Sequence, residues 1–210
     1  MNSFHLITAV IPAYNEAGSI SQVVRAVTPY VTEILVIDDG SEDETGSFAE
    51  ATGARVVRQI SNQGYIAAIK RGFAEASSEI VVTIDADGEF PAEYIPELVK
   101  PITDGRADMV QGHRNHIPRL SERFLTWLAQ RRAPVGDTGT GLRALRTDLA
   151  RNLSLRGACI CGIISLEVIY KGYRILDVPI ECKKVSKHRR VAWFHLKQFF
   201  YLLPWLFHRS

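Results

Sequence analysis

The chain has few cysteines, no strong excess of either charge and no long uninterrupted apolar stretch. Its three cysteines, Cys159, Cys161 and Cys182, are odd in number and lack paired zinc-ligand spacing, which excludes a disulfide framework and a structural zinc site. These thiols favour a reducing compartment. The 25 basic and 23 acidic residues leave a net charge of +2, so charge alone gives no reason to expect nucleic acid as a partner.

The N-terminus lacks the basic region, apolar stretch and small-residue cleavage site of a secretory signal, because residues 1–5 lead directly into a predicted strand. We therefore expect a cytoplasmic protein. An apolar content of 46% is enough for one core, and no repeat or linker interrupts the chain. These features predict one domain over residues 1–190 and an appended amphipathic helix over residues 191–210.

Apolar runs alternate with helical patterns along the first half of the chain. The predicted strands cover residues 6–11, 33–37, 55–57 and 79–84. Apolar residues recur at helical spacing between them, first from Ile20 to Val27 and later from Ile66 to Ala76. This alternation predicts an α/β fold, a mainly parallel sheet flanked by helices on both faces. Beyond residue 90 the pattern loosens, with strands expected at 108–111 and 174–181 and a helix at 120–128.

Polar clusters follow three of the predicted strands, at the point where each strand ends. They are Tyr14-Asn15-Glu16, Asp38-Asp39 and Asp85-Ala86-Asp87. Because ligands of parallel sheets bind at the carboxyl ends of the strands, we expect the three clusters to converge on one edge. Two carboxylates one residue apart can bind Mg²⁺ or Mn²⁺ together with a diphosphate, although acidic residues after a strand are also common turn formers.

The order and spacing of these segments carry a resemblance. Residues 10–16, 36–41, 62–64 and 84–87 resemble the matching motifs of family 2 glycosyltransferases with the Rossmann-like GT-A fold. Residues 112–114, 137–144, 177–180 and 186–187 are similar to stretches of the polyprenyl-phosphate mannose and glucose synthases. The resemblance extends from about residue 7 to about residue 190.

The resemblance implies a set of site residues. It implies that the nucleotide sugar is bound by Pro12, Ala13, Tyr14, Glu16, Asp38, Asp39, Asp85, Ala86, Ser186 and Lys187. The last two would close over the donor as part of a mobile loop. Without the series of motifs, Tyr14, Glu16 and Asp38 would be interpreted as ordinary turn residues.

A second group of residues is assigned to metal binding and catalysis. Asp85 and Asp87 would bind Mg²⁺ or Mn²⁺, with Asp87 also counted as catalytic; Glu89 is either a third metal ligand or a solvated loop acid. By resemblance, Arg114 and Arg143 lie near the sugar diphosphate and the acceptor phosphate, which suits the planar guanidinium. Asp137 is either a catalytic base or the anchor of a glycine-rich turn.

The absence of one motif indicates which class of acceptor the protein uses. Family 2 enzymes that extend sugar chains generally carry Q-x-x-R-W, which residues 130–133 do not supply. A lipid phosphate is already anionic and needs no base, so we expect a polyprenyl phosphate as the acceptor. The resemblance implies inverting transfer, with GDP-mannose or UDP-glucose as the donor. A hydroxyl acceptor with Asp137 as base, or a non-catalytic nucleotide-sugar binding protein, remain alternatives. A nucleotidyltransferase is disfavoured because residues 12–19 form no phosphate loop.

The C-terminus is crowded with aromatic residues between Trp193 and Phe207, after a basic segment at 183–190. The segment is too short and too broken for a membrane span, which needs about 20 apolar residues. Its aromatic and basic character predicts an interfacial helix that places the protein peripherally at the cytoplasmic membrane face. The alternative is a helix packed on the domain or across a homodimer interface.

Overall fold

The computed structural model describes residues 6–115, 117, 119–132, 134–157, 159–183 and 197–202. Within these ranges the strands are β1 (Ile7–Ala13), β2 (Glu33–Asp38), β3 (Arg55–Arg58), β4 (Ile80–Thr83), β5 (Met109–Arg114), β6 (Arg143–Arg146) and β7 (Ile175–Ile180). They form one sheet in the order β3-β2-β1-β4-β6-β5-β7. The strands predicted from the sequence are all present.

Most strand pairs are parallel, as predicted. β1 pairs in parallel with β2 on one side and with β4 on the other, and β2 pairs in parallel with β3. β5 and β7 form a second parallel pair. The carboxyl ends of β1, β2 and β4 therefore lie at one edge, with Ala13 opposite Asp38 in the register.

β6 departs from the predicted pattern, because it runs antiparallel to both β4 and β5. Arg143 at its start pairs with Thr83 at the end of β4. A parallel strand would need a crossover to the opposite edge of the sheet. Instead, the chain enters β6 from the carboxyl edge, directly after the glycine-rich turn, and this places residues 137–142 beside the strand ends.

Helices cover both faces of the sheet. They are α1 (Ile20–Val27), α2 (Thr45–Ala51), α3 (Tyr65–Glu75), α4 (Ile95–Thr103), α5 (Leu120–Gln130), α6 (Thr147–Arg151) and α7 (Ile163–Tyr170). α1 and α4 pack in one core together with Ala9 and Ile11 of β1, whereas α3, α5 and α7 pack in a second core with Val10. This alternation of neighbouring side chains between two cores is the signature of a sheet buried on both faces.

The sequence patterns missed three of these helices for identifiable reasons. α4 contains Pro101, which disfavours a helix interior, and α6 is only five residues long. In α7 every residue from Ile163 to Val168 is buried, so no amphipathic periodicity marks it. α5 was predicted, and its observed span of Leu120–Gln130 agrees with that prediction.

A cluster of polar side chains around Glu33 links neighbouring elements at the amino-terminal edge of the sheet. Glu33 at the start of β2 accepts hydrogen bonds from Thr8 at 2.6 Å, Arg55 at 2.9 Å and Ser77 at 3.1 Å. Burial would raise the pKa of the Glu33 carboxyl, but the three donors lower it below its ordinary value. The ionised form of Glu33 therefore stabilises the fold.

Residues 197–202 form a helical segment that packs on the domain. Leu202 is fully buried in the second core, and Gln198 accepts a hydrogen bond from the Cys159 amide and donates one to the Cys161 carbonyl. The rest of the predicted appended helix, including its boundary at residue 190, lies outside the described residues. The division into 1–190 and 191–210 therefore stays a prediction.

Candidate functional site

The three polar clusters do meet at one edge of the sheet. Tyr14-Asn15-Glu16 follows β1, Asp38-Asp39 ends β2, and Asp85-Ala86-Asp87 follows β4. β1 lies between β2 and β4, so the three clusters occupy adjacent positions. The sequence therefore predicted which residues share this edge, and what each side chain contacts there is decided by the fold.

The segment after β1 combines exposed and buried side chains. Pro12 and Ala13 are buried within the strand, whereas Tyr14 is 41% exposed. Glu16 is buried; its amide donates to the Thr45 hydroxyl at 2.7 Å and its carboxylate accepts from Ser19 at 2.9 Å. Glu16 therefore anchors the turn into α1, which is the alternative role considered for it, and Tyr14 is left facing outward.

An open cleft of about 500 Å³ lies beside Tyr14 and Asp38. Its walls also include Gly40, Ser41, Arg58 and the loop at 59–62. One oxygen of Asp38 accepts the Ser41 amide at 2.9 Å, which folds the turn after β2 against the cleft. The cleft has the volume of a small-molecule site and polar walls, and Tyr14 and Asp38, two of the residues predicted to bind the nucleotide sugar, line it.

Asp39 is buried and fully engaged with the following loop. Its carboxylate accepts the Gln59 side-chain amide at 2.6 Å and the backbone amides of Gln63 and Gly64, both at 2.8 Å. These bonds fix the loop that precedes α3. Asp39 was predicted to bind the nucleotide sugar, and in this structure its contacts organise the loop; a ligand contact of its own stays a prediction.

Asp85 is held between two elements that are far apart in the sequence. The Tyr65 hydroxyl at the start of α3 donates to its Oδ1 at 2.8 Å. On the other side, the backbone of Gly141 packs so closely that a β-carbon there would overlap the Asp85 carboxylate. Burial and the nearby charge of Asp85 raise the pKa of Tyr65 well above its ordinary value, so the hydroxyl keeps its proton.

Two further carboxylates, Asp87 and Glu89, follow Asp85 at the end of β4. Ala86 is buried, and Asp87 accepts the amide of Glu89 at 3.0 Å. Burial and the charges of Asp87 and Asp85 raise the pKa of Glu89, while Arg114 at 3.3 Å opposes that rise. Glu89 was predicted as a third metal ligand or a solvated loop acid; its side chain is 27% exposed and pairs with Arg114, and a metal contact of its own stays a prediction.

Carboxylate oxygens of this kind fit Mg²⁺ or Mn²⁺. Among the residues that the structure describes, no three His, Cys, Asp or Glu side chains are grouped so that they could hold a metal ion together. A cation bound by Asp85 and Asp87 would therefore take the rest of its shell from substrate oxygens and water. This is the usual way in which proteins hold Mg²⁺ at a diphosphate.

Arg114 at the end of β5 is surrounded by carboxylates. It contacts Asp137 through Nε and through Nη2, the latter at 3.1 Å, and Nη2 also donates to Glu122 at 3.0 Å. Burial would lower the pKa of Arg114, but Asp137, Glu122 and Glu89 together raise it above its ordinary value. Arg114 is 5% exposed, so it holds these acids together rather than facing the cleft.

Asp137 anchors the glycine-rich turn, as one of its two predicted roles required. Its side chain is fully buried, and besides Arg114 it accepts the Gly139 amide at 3.0 Å. A catalytic base needs to reach the proton that it removes. The engagement of both carboxylate oxygens by Arg114 therefore argues against Asp137 as a base.

Arg143 begins β6 and is almost completely buried. Its Nη2 donates to the Thr138 carbonyl at 3.0 Å, while Nε finds no hydrogen-bond partner within the described parts of the chain. Burial lowers the pKa of its guanidinium, and the nearby groups that oppose this include Tyr65, Asp137 and Asp85. Arg143 thus places a buried positive charge near Asp85 and Asp137, at the carboxyl edge of the sheet. A contact with substrate phosphate stays a prediction.

Two residues of the predicted site, Ser186 and Lys187, lie outside the described residues. Cys182, one residue before the end of the described part of the same segment, has a pKa raised to about 12 by burial and by the charge of Glu89. Its thiol stays protonated at neutral pH and is a poor nucleophile. Among the described residues, the carboxyl edge of the sheet therefore offers oxygen ligands and charge, and Cys182 adds no activated thiol to it.

Two participants were missed from the sequence. Tyr65 directly follows the Asn62-Gln63-Gly64 motif, so its position next to a site loop was a usable signal. Glu122 lies in the first turn of α5, where its i,i+3 pair with Arg119 is local, but its contact with Arg114 has no local sequence signal. Both contacts join residues that only the tertiary fold brings together.

An aromatic surface joins α5 to the C-terminal helical segment; it consists of Phe124, Trp127, Phe199 and Phe200. The Phe124 ring lies 5.8 Å from Trp127 and 6.0 Å from Phe199, and Phe200 is 62% exposed. The Arg131 guanidinium sits 4.4 Å from the Trp127 ring centre. None of the helices in the described residues has the length and apolar character needed to cross a bilayer.

The chain is similar in sequence to several known proteins. Residues 8–163 match the sequence model of the family Glycosyl transferase family 2. A dolichyl-phosphate hexose transferase of Haloferax volcanii is 31% identical over 194 residues, which cover 85% of this chain and 83% of the relative. An undecaprenyl-phosphate 4-deoxy-4-formamido-L-arabinose transferase of Enterobacter sp. (strain 638) is 33% identical over 165 residues; the match covers 70% of this chain and 50% of that protein.

A solved structure is similar over nearly the whole chain. It is glucosyl-3-phosphoglycerate synthase from Mycobacterium tuberculosis in complex with Mn²⁺, UDP-glucose and phosphoglyceric acid. The TM-score is 0.81 at 24% identity, and the match covers 99% of this chain and 82% of that one. At this level of identity the likeness establishes a shared fold.

Proposed function

Because the chain belongs to glycosyl transferase family 2, we propose that it transfers a hexose from a nucleotide-diphosphate sugar to a polyprenyl phosphate. The observation that carries the proposal is the pair Asp85 and Asp87 after β4, on the same carboxyl edge of the sheet as the polar cleft that Tyr14 and Asp38 line. The two relatives are named for transfer to dolichyl and undecaprenyl phosphates, both of which are polyprenyl phosphates. The donor is GDP-mannose or UDP-glucose.

The donor occupies the cleft in this proposal. The base and ribose lie near Tyr14 and Asp38, which line the cleft. The diphosphate extends along the carboxyl edge of the sheet to Asp85 and Asp87. A Mg²⁺ or Mn²⁺ held by these two aspartates supplies Lewis-acid stabilisation of the charge on the departing nucleoside diphosphate. The structural neighbour, which was crystallised with Mn²⁺ and UDP-glucose, is consistent with this assignment.

The choice of acceptor rests on the surroundings of Asp137, the one candidate base that the sequence suggested. A hydroxyl acceptor requires proton removal, whereas a lipid phosphate is already anionic and needs orientation. Asp137, the candidate base of the alternative reaction, is buried and bound to Arg114 through both oxygens. We therefore favour the phosphate acceptor, with attack on the anomeric carbon and inversion as the family resemblance implies.

Peripheral attachment to the cytoplasmic face of a membrane completes the proposal. The aromatic surface exposes Phe124, Trp127 and Phe200, with Arg131 against the Trp127 ring. Aromatic rings with adjacent basic groups suit the headgroup region of a bilayer. Such attachment would bring the carboxyl edge of the sheet to an acceptor whose chain stays in the lipid.

The test uses the purified full-length protein with Mg²⁺ or Mn²⁺, radiolabelled GDP-mannose or UDP-glucose, and short-chain polyprenyl phosphate. We expect label in the organic phase, and we expect EDTA or Asp87→Asn to abolish it. Asp104→Asn is the matched control, because Asp104 is exposed on the far side of the domain and pairs only with neighbouring basic residues, Lys100 and Arg106, among its described contacts. Nucleotide binding without transfer to this lipid would refute the proposed acceptor.

A further inference from the structure

Tyr65 lies next to Asp85 at the carboxyl edge of the sheet. It is the first residue of α3, and its hydroxyl donates to Asp85 Oδ1 at 2.8 Å. A hydroxyl that donates to a carboxylate stabilises the ionised form and one orientation of it.

The position of Tyr65 is fixed from the neighbouring strand. Asp39, at the end of β2, accepts the amides of Gln63 and Gly64, the two residues directly before Tyr65. Gly64 adopts φ of 91°, a left-handed conformation that favours glycine, so the chain turns sharply into α3. The ring of Tyr65 packs against the second core, and its hydroxyl reaches Asp85 at the carboxyl edge of the sheet.

Asp85 is confined on its other side as well. The Gly141 backbone approaches the Asp85 carboxylate so closely that no larger residue fits without displacing it. Arg143, two residues later, contributes a buried positive charge near both Tyr65 and Asp85. The Asp85 carboxylate is thus oriented by Tyr65 and limited in its movement by the glycine-rich turn.

We infer that Tyr65 is a positioning residue that holds Asp85 ready for the divalent cation and the donor diphosphate. This inference rests on the proposed function, since it assigns Asp85 to the cation. A carboxylate already fixed in its binding orientation loses little freedom when the cation arrives. Without the hydroxyl, Asp85 would have to be ordered during binding, and the cation would bind more weakly.

The experiment compares Mn²⁺ affinity between the parent and Tyr65→Phe, measured by calorimetry or by the electron paramagnetic resonance of free Mn²⁺, in the presence of GDP or UDP. Phenylalanine keeps the ring and removes only the hydroxyl. We expect a Kd for Mn²⁺ about 10 to 100 times higher, the usual effect of removing a group that orients a metal ligand. In steady-state assays the concentration of Mn²⁺ needed for half-maximal rate should rise, with recovery of rate at saturating Mn²⁺.

Tyr30→Phe is the matched control. Tyr30 is the last residue of a short 3₁₀ helix, Thr28–Tyr30, before β2, and it packs against the first core at the amino-terminal side of the sheet. Its variant should bind Mn²⁺ like the parent. Thermal unfolding of both variants checks that the fold is intact.

The outcomes separate this inference from the proposed function. If Tyr65→Phe weakens Mn²⁺ binding while the parent transfers no sugar to polyprenyl phosphate, the proposed acceptor fails and the role of Tyr65 stands. If Tyr65→Phe binds Mn²⁺ as tightly as the parent, the inference is wrong, whatever the acceptor. A parent protein that binds no Mn²⁺ with either nucleotide would overturn it too.

Discussion

The buried charge cluster around Arg114 offers the largest measurable effect of a single substitution. Arg114 is 5% exposed and donates to Asp137, Glu122 and Glu89, of which Asp137 is 0% and Glu122 4% exposed. Arg114→Met keeps a side chain of similar reach but removes the charge and every donor. Up to three carboxylates would then share a site that has lost its buried cation.

The magnitude follows from that burial. Breaking a buried ion pair by removing one partner costs about 3–5 kcal/mol. A domain has roughly 5–15 kcal/mol of stability in total. With about 2–4 °C of Tm per kcal/mol for a chain of this size, the loss corresponds to roughly 6–20 °C.

Urea unfolding followed by circular dichroism and thermal scans would measure the change. Arg174→Met is the comparison, since Arg174 pairs with Asp108 but its side chain is 58% exposed, and it should cost less than about 1 kcal/mol. If the two variants lose the same stability, the Arg114 cluster does not act as a buried network and the reasoning is refuted.

Three further substitutions test other parts of the structure. Gly141→Ala would displace the Asp85 carboxylate, so Mn²⁺ affinity and transfer should fall about tenfold or more with little loss of stability; unchanged affinity would contradict the close packing. Gly72→Ala puts a methyl group into Val10, and urea unfolding should show a loss of about 1–3 kcal/mol, less if helix propensity offsets it. Glu33→Gln should be about 1 kcal/mol less stable than the parent at pH 7. Because the pKa of Glu33 is lowered, that difference should disappear as the pH falls through it, and a constant difference from pH 7 to 3 would be inconsistent with this account.

Local pattern in the sequence determined the framework of the protein. Apolar runs and helical spacing identified the strands and several helices because each pattern reports which face of one element is buried. The polar clusters at Tyr14, Asp38 and Asp85 could be placed on one edge because parallel strands share the direction of their ends. Motifs in series then gave the family.

The pairing of charges was decided only by the tertiary structure. Arg114 lies 23 residues from Asp137 and 25 from Glu89, and no local periodicity connects them. The resemblance places Arg114 near substrate phosphate, which stays a prediction, and the fold surrounds its guanidinium with three carboxylates. Glu89, predicted as a ligand or a solvated acid, pairs with that arginine because β4 and β5 end on the same side of the sheet.

The orientation of β6 was also decided by the fold, and it shapes the site. Because β6 enters the sheet from the carboxyl edge, Gly141 packs against Asp85 from one side while Tyr65, 20 residues before Asp85, reaches it from α3. The sequence by itself determined which residue types stand at the strand ends. The tertiary structure decided which of them face the cleft and which hold one another, since long-range contacts depend on how distant elements pack and not on the spacing within any one of them.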